Sequence, residues 1–366
     1  MSVGIGIIGL AESGRTTIFN ALTKGNADTG VQAQKALHIG IAKVPEPRLY
    51  KLAEITKPKK IVPAEVKYLD IGASLKGMDK DSAISGEHLS HISNTDALIN
   101  VVRAYPDESI PHPEGSIDVE RDMATMNLEL AYSDLAIIER RLNRIETSLK
   151  SAKADERHSL NNEQEFLGRI KSTLEKDIPI REQNLTEEEN RLISGYQFLS
   201  AKPLLTVVNI GEDKLSRMEI IEDELNQRFL RPHQHIIALC GKLEMELAQL
   251  DDTSTESFRT EFGLTEAGLE RTIRLSYKLL SLITFFTTAS EEVKAWSVRQ
   301  GTSAPRAAGK IHSDMERGFI RAEVITYDDL MKCGSIAEGR KRGLLRLEGK
   351  NYIIQDGDVI NFLFNV

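Results

Sequence analysis

Apolar and polar positions change rhythm three times along the chain, and each rhythm predicts a different kind of structure. In the first part, short apolar runs alternate with helical patterns. "VGIGIIGL" (Val3–Leu10), "DALINVVRAY" (Asp96–Tyr105) and "PLLTVVNIGE" (Pro203–Glu212) are near-continuous apolar runs of strand length, as expected of strands buried on both faces. "EVKYLDIG" (Glu65–Gly72) reads as a strand ending in a carboxylate, and "TTIFNAL" (Thr16–Leu22) opens a helix directly after a glycine-rich turn. Strands alternating with helices predict a doubly wound, mostly parallel sheet, with its ligand beyond the carboxyl ends of the strands.

The second rhythm is purely helical. Leu128, Ala131, Leu135, Ile138, Leu142, Ile145 and Leu149 step by three and four, "SAKADERH" interrupts them, and Leu160, Leu167, Ile170 and Leu174 resume the period. This predicts an antiparallel coiled-coil hairpin inserted into the sheet domain, its first arm about 30 residues and roughly 45 Å long. Such an arm is either a solvated spacer or a docking element.

After about Leu280 strands return, now mixed with little helix between them, in "ITFFTTA", "EVKAWSV", "FIRAEVI", "RLEGKNYIIQ" and "DVINFLFNV", with one short helix, "APRAAGKIH", among them. Mixed strands around one helix predict a small α+β module. The expected domains are therefore 1–125 with 200–280 for the sheet, 126–199 for the arm and 281–366 for the last module.

Composition adds few constraints. The 366 residues suffice for two or three cores, and 40% hydrophobic with 28% charged residues describe a globular protein. No apolar run is long enough to cross a bilayer, and the opening "MSVGIGIIGL" is read as a buried strand, not a signal peptide. Cys240 and Cys333 are too few and too separated for a disulfide framework or zinc cluster, so a cytoplasmic setting is expected.

Net charge is −8, which argues against indiscriminate nucleic-acid binding and gives no sign of DNA sequence reading. The charge is uneven: residues 281–366 carry 12 Lys+Arg against 11 Asp+Glu, whereas residues 1–280 carry 35 against 44. An RNA contact, if present, is expected near Arg340, Lys341, Arg342 and Arg346; a solvated loop of mixed charge is the alternative.

The chemistry concentrates in "GLAESGRTT", Gly9 to Thr17, which has the frame of a phosphate-binding loop, G-x-x-x-x-G-[KR]-[ST]. Such a turn between strand and helix aims backbone N–H groups and the positive helix end at an anion, so Gly9, Glu12, Ser13, Gly14, Arg15, Thr16 and Thr17 form the candidate nucleotide-binding loop. Thr16 would offer its hydroxyl to Mg2+, and Asp70, at the end of its strand, would hold the ion through water. "NIGE" would place Asn209 and Glu212 at the base; guanine readers use N-K-x-D there, and Ile210 and the longer Glu212 weaken guanine selection.

With these motifs in place the chain resembles the YchF-type Obg-like ATPases, a branch of the translation-factor GTPases, over nearly its whole length. "GFIRAEVITYDDL" and "LEGKNYIIQDGDVINFLFNV" are similar to the C-terminal TGS domain of that family, and "VPEPRL", "VPAEVKYLDI", "LINVVRAY" and "HPEGSIDVERDM" fall in family order. The resemblance implies an α/β P-loop NTPase domain with an inserted helical arm, a β-grasp-like TGS domain, a preference for ATP over GTP, and association with the ribosome or its RNA. It further implies a mobile catalytic histidine in "SIPHPEG", hence His112, a base loop at Cys240, Gly241 and Lys242, and a monovalent cation beside the loop, at the asparagine position that Glu12 occupies.

The same resemblance exposes departures. Arg15 replaces a compact lysine with a wider planar guanidinium. A carboxylate at Glu12, about 4 Å from a phosphate oxygen, would cost on the order of 4 kcal/mol at an effective dielectric of about 20. Glu12 and Arg15 are expected to pair across the empty loop. The threonine that closes over the last phosphate falls at Gln34, the phosphate-sensing glycine at Ala73 and the hydrophobic residue after it at Ser74. Two functions are thus compatible with the sequence: a slow Mg-dependent ATPase or GTPase switch, and a degenerate-site scaffold that holds RNA or protein through arm and TGS domain.

Overall fold

A computed structural model describes residues 3–28, 37–71, 86–250, 254–255, 267–289 and 291–365. Gln34, Ala73 and Ser74 lie outside them. Two compact units emerge: one comprises Gly4–Gly40 and Tyr68–Leu269, the other Ile41–Lys67 and Glu270–Val366 together with the N-terminal residues.

The larger unit is built on a six-stranded sheet. Its strands are β1 (Val3–Ile8), β2 (Leu37–Lys43), β4 (Glu65–Ile71), β5 (Ala97–Ala104), β6 (Leu204–Ile210) and β7 (Gln234–Leu239), in the order β2-β4-β1-β5-β6-β7. β1, β5, β6 and β7 run parallel, with Ile7 opposite Ile99 and Val102 opposite Val208. Every residue of β5 and β6 is buried, which explains why both read as continuous apolar runs without alternation. The helices α1 (Arg15–Thr23), α3 (Gly86–Ser93), α7 (Met218–Phe229) and α8 (Gly241–Leu247) complete the doubly wound pattern.

The arm is α4 (Val119–Leu149) and α5 (Ala154–Leu174), followed by the short α6 (Glu187–Ser194). α4 serves two cores in succession. Met123, Met126 and Leu130 pack into the sheet, whereas Ala131, Ile138 and Ile145 turn to Phe166, Leu167, Ile170 and Leu174 of α5. The hairpin therefore grows out of a helix that is already anchored on the sheet, and Leu128 lies at the change of face, only half-buried. Asp118 caps α4 by accepting from Arg121 N–H at 3.0 Å.

The smaller unit holds a second six-stranded sheet, β11-β10-β12-β8-β9-β3, made from β3 (Lys60–Val62), β8 (Leu282–Ala289), β9 (Glu292–Arg299), β10 (Phe319–Thr326), β11 (Arg346–Glu348) and β12 (Asp358–Phe364). Its core gathers Phe285, Ala307, Ala308, Ala322, Val324 and Phe362 against α10 (Ala304–Ile311). Three expectations for this region need correction. "RLEGKNYIIQ" yields only the three-residue β11, because the chain turns at Gly349 and Lys350. One helix was expected, and α11 (Ser313–Arg317), α12 (Tyr327–Cys333) and α13 (Ile336–Lys341) join it. Finally, the unit begins before residue 281: α9 (Gly268–Leu279) leads into it, and residues 41–67 contribute α2 (Pro47–Thr56) and β3, which pairs in parallel with β9 through Ile61 and Val293. A three-residue edge strand so far from its partner in sequence carries too little pattern to be read in advance.

The expected basic patch is present but neutralised. Arg340 pairs with Glu323 at 2.7 Å, Lys341 and Arg342 with Glu338, and Arg346 with Glu348. A solvated surface of mixed charge, carried largely by α13 and β11 and not by a loop, describes it better than a free cationic surface.

Candidate functional site

The glycine loop closes on backbone geometry that only a few residues adopt. Gly14 has φ 90° and caps α1 without any side-chain hydrogen bond, so the N–H groups of the first turn receive no side-chain cap from it. A Cβ at Gly14 would lie 2.3 Å from Asn209 Nδ2, and one at Gly9 2.4 Å from Val101 O, so both glycines are required by close approach. Glu12 is a different matter: it sits at φ 58°, in the left-handed region, where a side chain with Cβ is strained by about 1 kcal/mol.

Around this loop the predicted residues converge. Thr16 Oγ1 donates to Asp70 Oδ2 at 2.7 Å, and Asp70 Oδ1 is buried with no hydrogen-bond partner among the described residues. His38, at the start of β2, places Nδ1 3.5 Å from Asp70 Oδ2. Hydroxyl and carboxylate oxygens converging on one point are the donor set that suits Mg2+, which takes one or two protein oxygens and completes its shell with phosphate and water. Among the described residues no group of three His, Cys, Asp or Glu forms a full cage.

Arg15 does not pair across the loop as expected. It is buried and its Nη1 donates to Ile71 O at 2.5 Å. Burial lowers its pKa, opposed by the charges of Asp70 first and Glu12 second.

Asn209 also plays a part beyond the expected one. Its Nδ2 donates to Ser13 O at 3.1 Å, and its Oδ1 accepts from Gly241 N–H at 2.9 Å. The side chain thereby ties the glycine loop to the Cys240–Lys242 turn. Glu212 and Lys242 form an exposed ion pair at 3.0 Å, and Cys240 is buried, its thiol pKa raised by desolvation. The carboxylate expected at the base is thus already engaged by a lysine.

His112 is inward. Its Nδ1 accepts from Glu114 N–H at 3.1 Å and its Nε2 lies 2.9 Å from Asp122 Oδ2. The loop that carries it is organised by Arg103, a buried arginine in β5 whose guanidinium donates to the carbonyls of Tyr105, Asp107 and Ile110 at 3.0–3.2 Å. Sequence reading missed Arg103, His38 and Asp122. A cationic residue inside the near-continuous apolar run of "DALINVVRAY" was the available signal for Arg103.

Comparison with known proteins decides the family. A ribosome-binding ATPase YchF of Bacillus subtilis is 39% identical over 370 residues, with both chains covered completely. The chain belongs to the YchF family. The YchF-type ribosome-binding ATPase of Escherichia coli O157:H7 is 36% identical over 372 residues, again with full coverage of both. The structure of the Schizosaccharomyces pombe YchF GTPase superimposes with a TM-score of 0.84 at 28% identity, covering 99% of this chain and 98% of that one. Residues 282–365 match the family model YchF-GTPase_C, described as a protein of unknown function (DUF933). The P-loop NTPase fold with a C-terminal domain, expected from the sequence, is therefore the YchF fold.

Proposed function

We propose that this YchF-family chain binds ATP in preference to GTP at the Gly9–Thr17 loop together with Mg2+, hydrolyses it slowly, and associates with the ribosome in the cytoplasm. The observation that carries the reading is the conjunction of an uncapped helix end at Gly14 with the Thr16–Asp70 contact and the orphaned Asp70 Oδ1. An uncapped helix end attracts an anion, and an unpartnered buried carboxylate oxygen beside it is satisfied by a hard cation. Full-length identity to proteins named ribosome-binding ATPases supports the ribosomal half.

In this reading the loop N–H groups hold the phosphates, and Thr16 and Asp70 hold Mg2+, the latter through water. Mg2+, when bound, supplies the charge that phosphoryl transfer requires at the outer phosphate oxygens. Arg15, fixed on Ile71 O, serves as a buried, fixed positive charge and not as a mobile phosphate ligand. His112 positions the attacking water once it leaves its inward place. A monovalent cation beside Glu12 offsets the carboxylate. Asn209 and Glu212, both engaged, are poor guanine readers, which favours ATP.

One observation favours the second reading, a scaffold with little hydrolysis: a strained glutamate in the loop and a buried, immobilised arginine after it both work against phosphate. Thermal melting separates the two. A nucleotide at about 100 times its Kd adds about 2.7 kcal/mol of stability. A rise in Tm with Mg-ATP that exceeds the rise with Mg-GTP supports the first reading. No rise with either supports the scaffold.

A further inference from the structure

Asp122 stands in the first turn of α4, at the root of the arm, and is 3% exposed while carrying a carboxylate. Its Oδ1 accepts from Arg121 Nε and Nη2 at 3.0 and 2.8 Å, and its Oδ2 faces His112 Nε2 at 2.9 Å. Arg121 in turn donates from Nη1 to Ser116 Oγ at 3.1 Å and from Nη2 to Ser116 O at 2.5 Å. The His112 loop and the start of the arm are thus stitched together through one carboxylate.

The tautomer follows from these contacts. His112 Nδ1 accepts from Glu114 N–H, so in the neutral ring the proton resides on Nε2, facing Asp122. Nδ1 is engaged, and Nε2 lies within ion-pair distance of Asp122 Oδ2 without the alignment of a hydrogen bond, the side chain being only 5% exposed. Ser13, Leu10 and Arg103 share with it a crevice beneath the phosphate loop that is too narrow for water, so solvent does not reach the ring from that side.

We infer that Asp122 is a positioning residue that latches His112 away from the nucleotide in the resting protein and couples its release to the first turn of the arm helix. A displacement of α4, such as docking of the arm would produce, breaks the Asp122 contact and frees the ring. A change at the phosphate loop acts on the same crevice through Ser13 and Leu10. This inference rests on the reading of His112 given above, and one arm of its test is independent of that reading.

The test uses the full, nucleotide-stripped chain with nitrogen-15 histidine, the His112 signals being assigned with His112→Asn. Long-range proton–nitrogen spectra of the unmodified protein should show one protonated Nε2 and one bare Nδ1, a result that needs no variant. In Asp122→Asn the amide still fills the space but cannot accept from both neighbours, and the pattern should collapse to averaged tautomers. Mg-ATP turnover should then rise on the order of tenfold as the latched population is released, and His112→Ala should abolish the rise. Averaged tautomers in the unmodified protein, or an unchanged pattern in Asp122→Asn, would overturn the latch. A released ring with unchanged or lower turnover would overturn its inhibitory role. Failure to bind ATP at all would sink the proposed function and leave the spectral result to decide the latch on its own.

Discussion

At the root of the arm Asp134 is completely buried, yet its two oxygens accept backbone N–H groups from Leu199 at 2.8 Å and Ser200 at 2.7 Å. Beneath the glycine loop, in the same unit, Ser13 Oγ, Asp70 Oδ1 and His38 Nδ1 are equally enclosed and have no hydrogen-bond partner among the described residues. Both regions bury polar groups at a desolvation cost; both oxygens of Asp134 are satisfied internally, whereas these loop atoms are not. The arm root also holds Arg181, which donates to Ser200 O and Asn127 Oδ1 and leaves just its Nε unmet. On the proposed reading, the difference separates polar groups that fix a joint from polar groups that await a ligand.

The largest expected effect is at the joint. Asp134→Ala strands two buried N–H donors and should lower stability by about 3 kcal/mol in urea denaturation, while leaving nucleotide affinity unchanged. A loss of binding without a loss of stability would reverse the assignment of the two regions.

The joint should also carry a pH signature. Burial raises the Asp134 pKa to about 6, above its unfolded value near 4. The folded carboxyl therefore binds a proton more readily than the unfolded one, and its contribution to stability is fully present below about pH 4 and is lost as pH rises through 6. Two pKa units bound the effect at about 3 kcal/mol. In parallel denaturation series, the advantage of the unmodified protein over Asp134→Asn should shrink between pH 4 and pH 7. A constant difference would show that burial does not shift this group.

At the loop, Asn209→Ala removes both bonds that tie Ser13 to Gly241, and should cost about 2 kcal/mol of stability together with much of the nucleotide affinity. The smallest effect has the opposite sign. Glu12→Gly suits the φ of 58° and should stabilise the protein by about 1 kcal/mol while tightening Mg-ATP binding. Tighter binding without stabilisation would mean that charge, not backbone strain, is what Glu12 imposes.

How far the sequence could be read follows the same physics. Buried strands, the three-and-four step of the arm and the glycine loop are local patterns, and β1, β4, β5, β6, α4 and α5 stand where those patterns put them. Thr16 and Asp70 were legible because a motif and a strand end fix their positions. What escaped was non-local. The pairing of β3 with β9 joins segments more than two hundred residues apart, and the inward turn of Arg15 to Ile71 O depends on where β4 ends. The Asp122 contact escaped for a related reason: an acidic residue in a helix's first turn reads as favourable to the helix dipole, and nothing in the pattern reveals that it faces a histidine ten residues back.

The claim on which the account turns is that polar atoms left open around Gly14 and Asp70 are open for a nucleotide and its metal ion. Calorimetric titration of the nucleotide-stripped protein with Mg-ATP and Mg-GTP, repeated with Asp70→Asn, measures this directly. The account predicts saturable one-to-one binding of Mg-ATP, weaker binding of Mg-GTP, and loss of the Mg2+ dependence in the variant. No heat of binding from either nucleotide at millimolar concentration would contradict it.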